Sequence, residues 1–291
     1  MLRESLAVFT TLSLPRSLGL RDIFMSQIDL QRLANDMIAA AHEAGARILS
    51  HYGQVAVELK DDKSPVTAAD READTVLVDT LKRIAPEIPV ISEESSPSAQ
   101  IASDKAFFLV DPLDGTKEFI HGRDEFTVNV AMIENRTPCF GIVYAPALSQ
   151  AYITLASDRA VKFDLDARAP LPQFDSLEFE PITTRACDAK NLVAAVSRSH
   201  LDETTEAFLA QHGIAETHAS GSSLKFCCLA EGLADVYPRF GRTMEWDTAA
   251  GHAVLAAAGG TVLDETGSPL TYGKRERGYD NPGFVAWGRA P

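Results

Sequence analysis

Apolar residues recur every three or four positions in two stretches near the start of the chain. In residues 28–49 this spacing predicts an amphipathic helix, with a stripe formed by Leu30, Leu33, Met37, Ile38, Ala41 and Ile48. A second stripe predicts a helix that begins near Thr67, with Thr67 as its cap and Asp70 three residues further on. Its apolar positions are Ala73, Leu77, Leu81 and Ile84.

The period then changes from helical to extended. Residues 90–91 and 106–110 are short apolar runs, and residues 126–132 alternate between apolar and polar or small side chains. Further strand candidates follow at residues 139–144 and 152–155, at the spacing of an antiparallel meander. The first half of the chain is therefore predicted to pack helices against a sheet.

Residues 165–190 contain Pro170, Pro172, Pro181 and many acidic residues, which predicts an irregular connection between two domains. Beyond it, strands predicted at 192–196, 234–237, 261–263 and 284–287 alternate with helices at 203–211, 223–232 and 246–258, which indicates an α/β half. We expect an N-terminal α+β domain at residues 25–170 and a C-terminal α/β domain at residues 185–291. Residues 1–24 read as a disordered leader, or as a start placed too early with Met25 opening the folded chain.

Composition limits the function classes. The chain of 291 residues has a formal charge of −14, which argues against binding to nucleic acid polymers, and its apolar runs are too short to span a membrane. The four cysteines show no CxxC spacing, which favours a reduced, cytoplasmic setting, and they do not cluster with histidines as zinc ligands would. An anionic substrate remains compatible with an acidic chain if bound cations reverse the charge of its site.

Two carboxylates leave one buried strand together. Asp111 and Asp114 follow the apolar run at 106–110, where Pro112 fixes its own φ and Gly115 permits a tight backbone, so both side chains can converge on one point. Converging carboxylates repel each other unless a hard cation lies between them, and oxygen ligands in octahedral geometry suit Mg²⁺. The simpler alternative is a plain Asp-Gly turn.

Three further acidic residues stand at the ends of predicted elements. Glu93 follows the strand at 90–91, Asp247 opens a helix, and Asp70 lies in the first turn of another. Each taken alone has an ordinary explanation, as a solvated loop residue or a helix cap.

The four blocks together resemble the inositol monophosphatase superfamily of magnesium-dependent, lithium-inhibited phosphatases. The blocks are Asp70, Glu93-Glu94, the run Asp-Pro-Leu-Asp-Gly-Thr at 111–116, and Trp-Asp-Thr-Ala-Ala at 246–250. The resemblance implies a layered αβαβα sandwich, mixed α+β and α/β, of the kind shared with fructose-1,6-bisphosphatase. Residues 221–247 are similar to the bacterial CysQ type within that superfamily, the 3′(2′),5′-bisphosphate nucleotidases. The implied reaction is hydrolysis of adenosine 3′,5′-bisphosphate to AMP and phosphate.

The resemblance also implies roles for particular residues. Two or three Mg²⁺ ions would be held by Glu93, Asp111, Asp114, Asp247 and the backbone carbonyl of Leu113. Asp70 and Thr116 would orient and deprotonate the attacking water. The amides of Gly115 and Thr116 would hold the scissile phosphate, and the metal ligand Asp247 would also contact the substrate. The nucleotide and its second phosphate would be bound by His200, Ser222, Lys225 and Arg239.

Two other functions stay open at this stage. The same metal blocks serve inositol monophosphate or another sugar phosphate, and only residues 222–239 separate these substrates. A non-catalytic metal-binding module is the second alternative, which Asp70 and Thr116 disfavour because metal binding alone does not require them. A homodimer and attachment to the cytoplasmic face of the inner membrane also stay open.

Overall fold

The computed structural model describes residues 30–53, 58–59, 65–94, 105–198 and 202–289. The expected leader, residues 1–24, and the predicted substrate residue His200 lie outside the described residues. Within the described ranges, no helix combines the length and the apolar character that a membrane crossing requires.

Apart from a short helix at residues 116–120, which no sequence pattern predicted, the helices begin and end close to the predicted positions. In chain order they are α1 Leu30–His51, α2 Ala68–Ile84, α3 Thr116–Ile120, α4 Glu203–Gln211, α5 Leu224–Ala230 and α6 Glu245–Ala257. The predicted cap of α2 is confirmed, because the Thr67 hydroxyl accepts the amide hydrogen of Ala69. Gly259, with φ of 98°, follows the end of α6, where glycine adopts the left-handed conformation without strain.

Most strands belong to two sheets. β1 Glu58–Leu59 and β2 Pro65–Val66 form a separate antiparallel pair. The larger sheet has the order β3-β4-β5-β6-β7-β8-β9, with β3 parallel to β4 and every later pair antiparallel, so the predicted meander is confirmed. Its strands are β3 Val90–Ser92, β4 Phe107–Asp114, β5 Thr127–Glu134, β6 Thr137–Ala145, β7 Gln150–Ala156, β8 Arg159–Asp164 and β9 Glu180–Ile182.

The second sheet has five strands in the order β11-β10-β12-β14-β13. β10 runs parallel to both β11 and β12, whereas β14 is antiparallel to its two neighbours. The strands are β10 Val193–Ser197, β11 Glu216–Ser220, β12 Val236–Arg239, β13 Thr261–Asp264 and β14 Phe284–Trp287. Parallel strands joined through helices are the α/β arrangement expected for this half.

Five layers follow from the alternation of side chains along the strands. One buried cluster joins α1 and α2 to one face of the larger sheet and includes Met37, Leu77, Phe108, Val130 and Ile142. The alternate residues of the same strands point to the opposite face of the larger sheet, where they pack against α5, α6 and the smaller sheet. This second cluster includes Leu109, Val143, Phe226, Val254 and Ala286. A third cluster packs α4 on the far face of the smaller sheet and includes Ala194, Val196, Leu209 and Val236. The expected αβαβα sandwich is therefore confirmed.

The connection predicted to be irregular is partly ordered. It contains a short 3₁₀-helix, Phe174–Ser176, and the edge strand β9, which pairs antiparallel with β8. Pro181 does not prevent this pairing because an edge strand has one side without a partner strand. The expectation of an irregular segment was therefore wrong for residues 180–182. The two-domain division stays a prediction, and α5 and α6 pack between the two sheets.

Candidate active site

A β-bulge brings Asp111 and Asp114 to the same face of β4. Asp111 pairs with Asn129 and Asp114 with Thr127, so β4 advances by three residues over the length in which β5 advances by two. In a regular strand, residues three apart point to opposite faces, and the extra residue in the bulge reverses this. Pro112 lies within the bulge, where the missing amide hydrogen is tolerated. The bulge therefore supplies the convergence of Asp111 and Asp114 that was predicted from Pro112 and Gly115.

Asp70 connects the start of α2 to the start of α3. Its Oδ2 accepts hydrogen bonds from the amide and the hydroxyl of Thr67, at 2.8 and 2.6 Å. Its Oδ1 lies 3.2 Å from the hydroxyl of Thr116, which also lies 3.1 Å from the carbonyl oxygen of Leu113. A hydroxyl has one hydrogen, so Thr116 donates to one of these two acceptors at a time. The capping explanation and the functional one are therefore compatible, because each uses a different oxygen of Asp70.

The buried carboxyl groups of Asp111 and Asp247 interact electrostatically with those of Glu93 and Asp114. Burial raises the pKa of Asp111 well above its ordinary value, and Glu93, Asp114 and Asp247 raise it further. A hydrogen bond between Asp111 and Glu93 raises the pKa of Asp111 as well. Burial likewise raises the pKa of Asp247, with Asp114 adding to the effect, although Asp247 Oδ2 accepts the Met244 amide hydrogen at 2.8 Å.

Asp114 and Lys225 influence each other across the two halves of the chain. Loss of water contact raises the pKa of Asp114 to about 6, and the nearby Lys225 charge and the Ser223 hydroxyl, 3.2 Å away, oppose that shift. Burial lowers the pKa of Lys225 to about 8, and Asp114 opposes this shift in turn. The Lys225 ammonium donates to the carbonyl oxygen of Ser222 at 2.7 Å.

Gly115 and Ser222 fit closely against each other. Gly115 has φ of 90°, the left-handed region, and directly precedes α3. A side chain at Gly115 would collide with the Ser222 hydroxyl oxygen, which lies 3.0 Å from the carbonyl oxygens of both Asp114 and Glu125. Ser222 therefore fastens the turn after β4, and its predicted contact with a nucleotide remains a prediction.

A cleft of about 130 Å³ opens at this junction between the halves. Six of the predicted site residues line it: Asp114, Gly115, Ser222, Lys225, Arg239 and Asp247. Arg239 donates to the carbonyl oxygen of Arg242 at 3.3 Å, while its Nε is buried without a hydrogen-bond partner. Asp70 and Asp111 are buried and do not line the cleft, and the Leu113 side chain lies in the core while its carbonyl faces Thr116.

Several residues of the site were not identified from the sequence. Asn129 on β5 contacts both Asp114 and Ser223, at 3.4 and 3.0 Å. Glu125 and Arg198 line the cleft as an ion pair. Arg198 follows directly on β10, two positions before His200, and its place at a strand end was an available signal. Nothing in the sequence singles out Glu125 or Asn129.

The acidic group suits a cation by its chemistry. Within the described ranges, no three or more His, Cys, Asp or Glu side chains already stand in the arrangement of a metal site. Burial, together with the repulsion between neighbouring carboxyl groups, instead raises the pKa values of Asp111, Asp114 and Asp247 and so favours their protonated forms. A hard divalent cation would relieve that repulsion and replace those protons, and oxygen-only donors are the set that Mg²⁺ prefers.

Known proteins with similar sequences and structures share this fold. The inositol monophosphatase family matches residues 29–286. A Shigella flexneri protein named 3′(2′),5′-bisphosphate nucleotidase CysQ is 45% identical over 248 residues, which are 84% of this chain and 95% of that protein. The crystal structure of CysQ from Bacteroides thetaiotaomicron has a TM-score of 0.72 at 38% identity, covering 89% of this chain and 98% of the other. The structure of the Thermotoga maritima inositol monophosphatase has a TM-score of 0.69 at 25% identity, covering 89% of this chain and 92% of the other.

The chain belongs to the inositol monophosphatase family. The family expected from the four sequence blocks and the expected class of enzyme, a phosphatase, are thereby confirmed.

Proposed function

We propose that the protein is a Mg²⁺-dependent 3′(2′),5′-bisphosphate nucleotidase that hydrolyses adenosine 3′,5′-bisphosphate to AMP and phosphate. The main support is one spatial relationship: a buried group of carboxylates adjoins a cleft that also contains Lys225 and Arg239. The acids suit cations at a scissile phosphate, and the basic side chains suit a second phosphate. Relatives named as bisphosphate nucleotidases give further support.

The metal would be held by side chains of Glu93, Asp111, Asp114 and Asp247 and by the carbonyl oxygen of Leu113. We propose Mg²⁺ as the metal, with two or three ions per site. When bound, such ions lower the pKa of a water molecule and offset the negative charge of the phosphate. The bulge in β4 and the cap of α6 position metal ligands before substrate binds, and the cap of α2 positions Asp70 in the same way.

Asp70 and Thr116 would prepare the attacking water. When Thr116 donates its hydrogen to Asp70 Oδ1, the lone pairs of Thr116 Oγ1 are available to accept a hydrogen from water. The water proton can then pass through the hydroxyl to Oδ1, while Thr67 keeps Oδ2 in place. No covalent enzyme intermediate is needed, because phosphoryl transfer depends mainly on positioning and charge stabilisation.

Lys225 and Arg239 would bind the second phosphate, helped by Ser222 and His200. Arginine offers a planar pair of donors and lysine a compact charge. The buried, unpaired Nε of Arg239 is a donor that an anion in the cleft could satisfy.

A cytoplasmic location accords with the absence of disulfides among the described cysteines.

An inositol monophosphate or another sugar phosphate is the second candidate substrate. It is favoured by the structural similarity to the Thermotoga maritima inositol monophosphatase, although the identity there is 25% against 45% for the nucleotidase relative.

The test is phosphate release from adenosine 3′,5′-bisphosphate and inositol 1-phosphate, with Mg²⁺ or with EDTA. We expect a preference of about 100-fold or more in kcat/KM for the bisphosphate, and no turnover in EDTA. Asp114→Asn should lower kcat by about 100-fold or more, while the exposed turn variant Asp158→Asn serves as the matched control. Millimolar lithium should inhibit.

Each contradicting result has a distinct meaning. A preference for inositol 1-phosphate would refute the substrate. Equal rates with Mg²⁺ and with EDTA would refute the dependence on metal, and no phosphate release from any ester would refute the enzyme.

A further inference from the structure

An ion pair at the wall of the cleft joins the two sheets. Glu125 lies in the loop before β5 and Arg198 directly follows β10. Arg198 Nε lies 3.0 Å from Glu125 Oε2, and Arg198 Nη2 lies 2.8 Å from Glu125 Oε1, so the pair is bidentate. Both residues line the same cleft as Lys225 and Arg239.

Glu125 is also fixed through its backbone. Its carbonyl oxygen accepts the Ser222 hydroxyl at 3.0 Å. A Cβ added at Gly221 would lie 2.6 Å from that same oxygen, so Gly221 and Glu125 are in close contact. On the other side, Arg198 Nη2 donates to the carbonyl oxygen of Ala219 at 3.1 Å. Glu125 therefore contacts three residues of the C-terminal half, which are Arg198, Gly221 and Ser222.

The charge of Glu125 matters for an anionic substrate. The cleft already contains Asp114, Glu118 and Asp247, and a second phosphate would add negative charge close to these groups. An unpaired carboxylate facing a phosphate opposes binding, because like charges brought together in an interface are strongly unfavourable. Arg198 cancels the charge of Glu125 and holds the carboxylate against the wall.

The pair contributes little to folding. The Arg198 side chain is 52% exposed to solvent, and ion pairs that are so exposed add little to the free energy of unfolding. Two nitrogen atoms of Arg198 are already engaged by Glu125 and Ala219, which favours a role through Glu125 over direct contact with substrate.

We infer that Arg198 is a specificity-determining positioning residue, which neutralises and fixes Glu125 so that the second phosphate of a bisphosphorylated nucleotide can bind. This inference rests on the proposed function and concerns the second phosphate of the substrate, not the bond that is broken.

The test compares Arg198→Gln, Glu125→Gln and the double variant with the wild type. KM and kcat are measured for adenosine 3′,5′-bisphosphate and adenosine 3′-monophosphate; where a monophosphate is not turned over, its inhibition constant replaces KM. The matched control is Arg47→Gln, whose side chain is 54% exposed and pairs with Glu43 on α1, outside the cleft. Thermal unfolding of every variant shows that it is folded.

We expect Arg198→Gln to raise KM for the bisphosphate about tenfold and to leave KM for the monophosphate within about twofold. Glu125→Gln and the double variant should both bind the bisphosphate within about threefold of the wild type, because neither leaves an unpaired carboxylate facing the phosphate.

Two outcomes would overturn the inference. If the double variant is as impaired as Arg198→Gln, Arg198 contacts the substrate itself. If Arg198→Gln weakens the binding of the bisphosphate and of the monophosphate equally, the pair is merely structural. Failure of the proposed function is visible separately, as a wild type that does not prefer the bisphosphate to inositol 1-phosphate.

Discussion

The hydroxyl of Thr116 and the carboxylate of Asp70 lie 3.2 Å apart although 46 residues separate them in sequence. Thr116 opens α3 and Asp70 lies in the first turn of α2, so the contact joins the starts of two helices. It also leaves one oxygen of Asp70 for Thr116 while the other keeps the cap with Thr67. Stability and the proposed water activation therefore depend on different oxygens of one side chain.

Replacement of the Thr116 hydroxyl should affect catalysis more than folding. Thr116→Val keeps the side-chain shape but cannot accept a hydrogen from water, so kcat should fall by about 100-fold. Thr116→Ser keeps the hydroxyl and should stay within about tenfold of the wild type. Steady-state kinetics with adenosine 3′,5′-bisphosphate provides the measurement. A fully active Thr116→Val enzyme would rule out the proposed proton path.

Asp114 should make the metal-free protein less stable as the pH rises. Its pKa is raised from 3.8 to about 6. A raised carboxyl pKa means that the folded state binds the proton more tightly than the unfolded state, so the free energy of unfolding falls between about pH 4 and pH 6. The full shift corresponds to about 3 kcal/mol, and the partial exposure of Asp114 reduces this figure.

Urea unfolding in EDTA at several pH values tests this expectation. Between pH 4 and pH 7 the wild type should lose about 1–3 kcal/mol relative to Asp114→Asn, which has no charge to bury. Added Mg²⁺ should stabilise the wild type at pH 7 more than the variant. A difference between the two proteins that does not change with pH would contradict the assigned burial of the Asp114 charge.

Lys225 should make substrate binding depend on pH. Burial lowers its pKa to about 8, so its positive charge is present below that pH and is lost above it. If Lys225 holds a phosphate, KM for the bisphosphate should rise by about tenfold between pH 7 and pH 9. Lys225→Met should show a high KM that stays flat over this range. Identical pH profiles for the wild type and the variant would remove Lys225 from the binding site.

Gly115 should not tolerate a side chain. Alanine at this position meets two penalties, a φ of 90° and a collision with the Ser222 hydroxyl. We expect Gly115→Ala to lower the free energy of unfolding by about 1–3 kcal/mol and to abolish activity. Adding Ser222→Gly removes the collision and should recover part of the stability. Unchanged thermal unfolding of Gly115→Ala would show that the turn after β4 is free to rearrange.

Local patterns were sufficient to predict much of the fold. Apolar spacing located α1 and α2, because each buries one continuous stripe, and alternation located the meander. The edge strand β9 was missed because its three residues include Pro181 and are mostly exposed, so they have no apolar pattern. Its pairing is determined by β8 rather than by its own sequence.

The candidate site was predictable in its acidic residues but not in its geometry. Asp111 and Asp114 stand out by following a buried strand, whereas the bulge that aligns them depends on the register with Asn129 and Thr127. The Glu125–Arg198 pair joins residues 73 positions apart, and no local signal connects them. Contacts of this kind arise only when the two sheets come together.

The most direct test of the central claim is anomalous diffraction from crystals grown with Mn²⁺ in place of Mg²⁺. We expect one or more strong anomalous peaks among the carboxylates of Glu93, Asp111, Asp114 and Asp247. An anomalous difference map without a peak within coordination distance of these side chains, from crystals grown at Mn²⁺ concentrations that support turnover, would contradict this claim. It would show that the acidic group does not hold the catalytic metal.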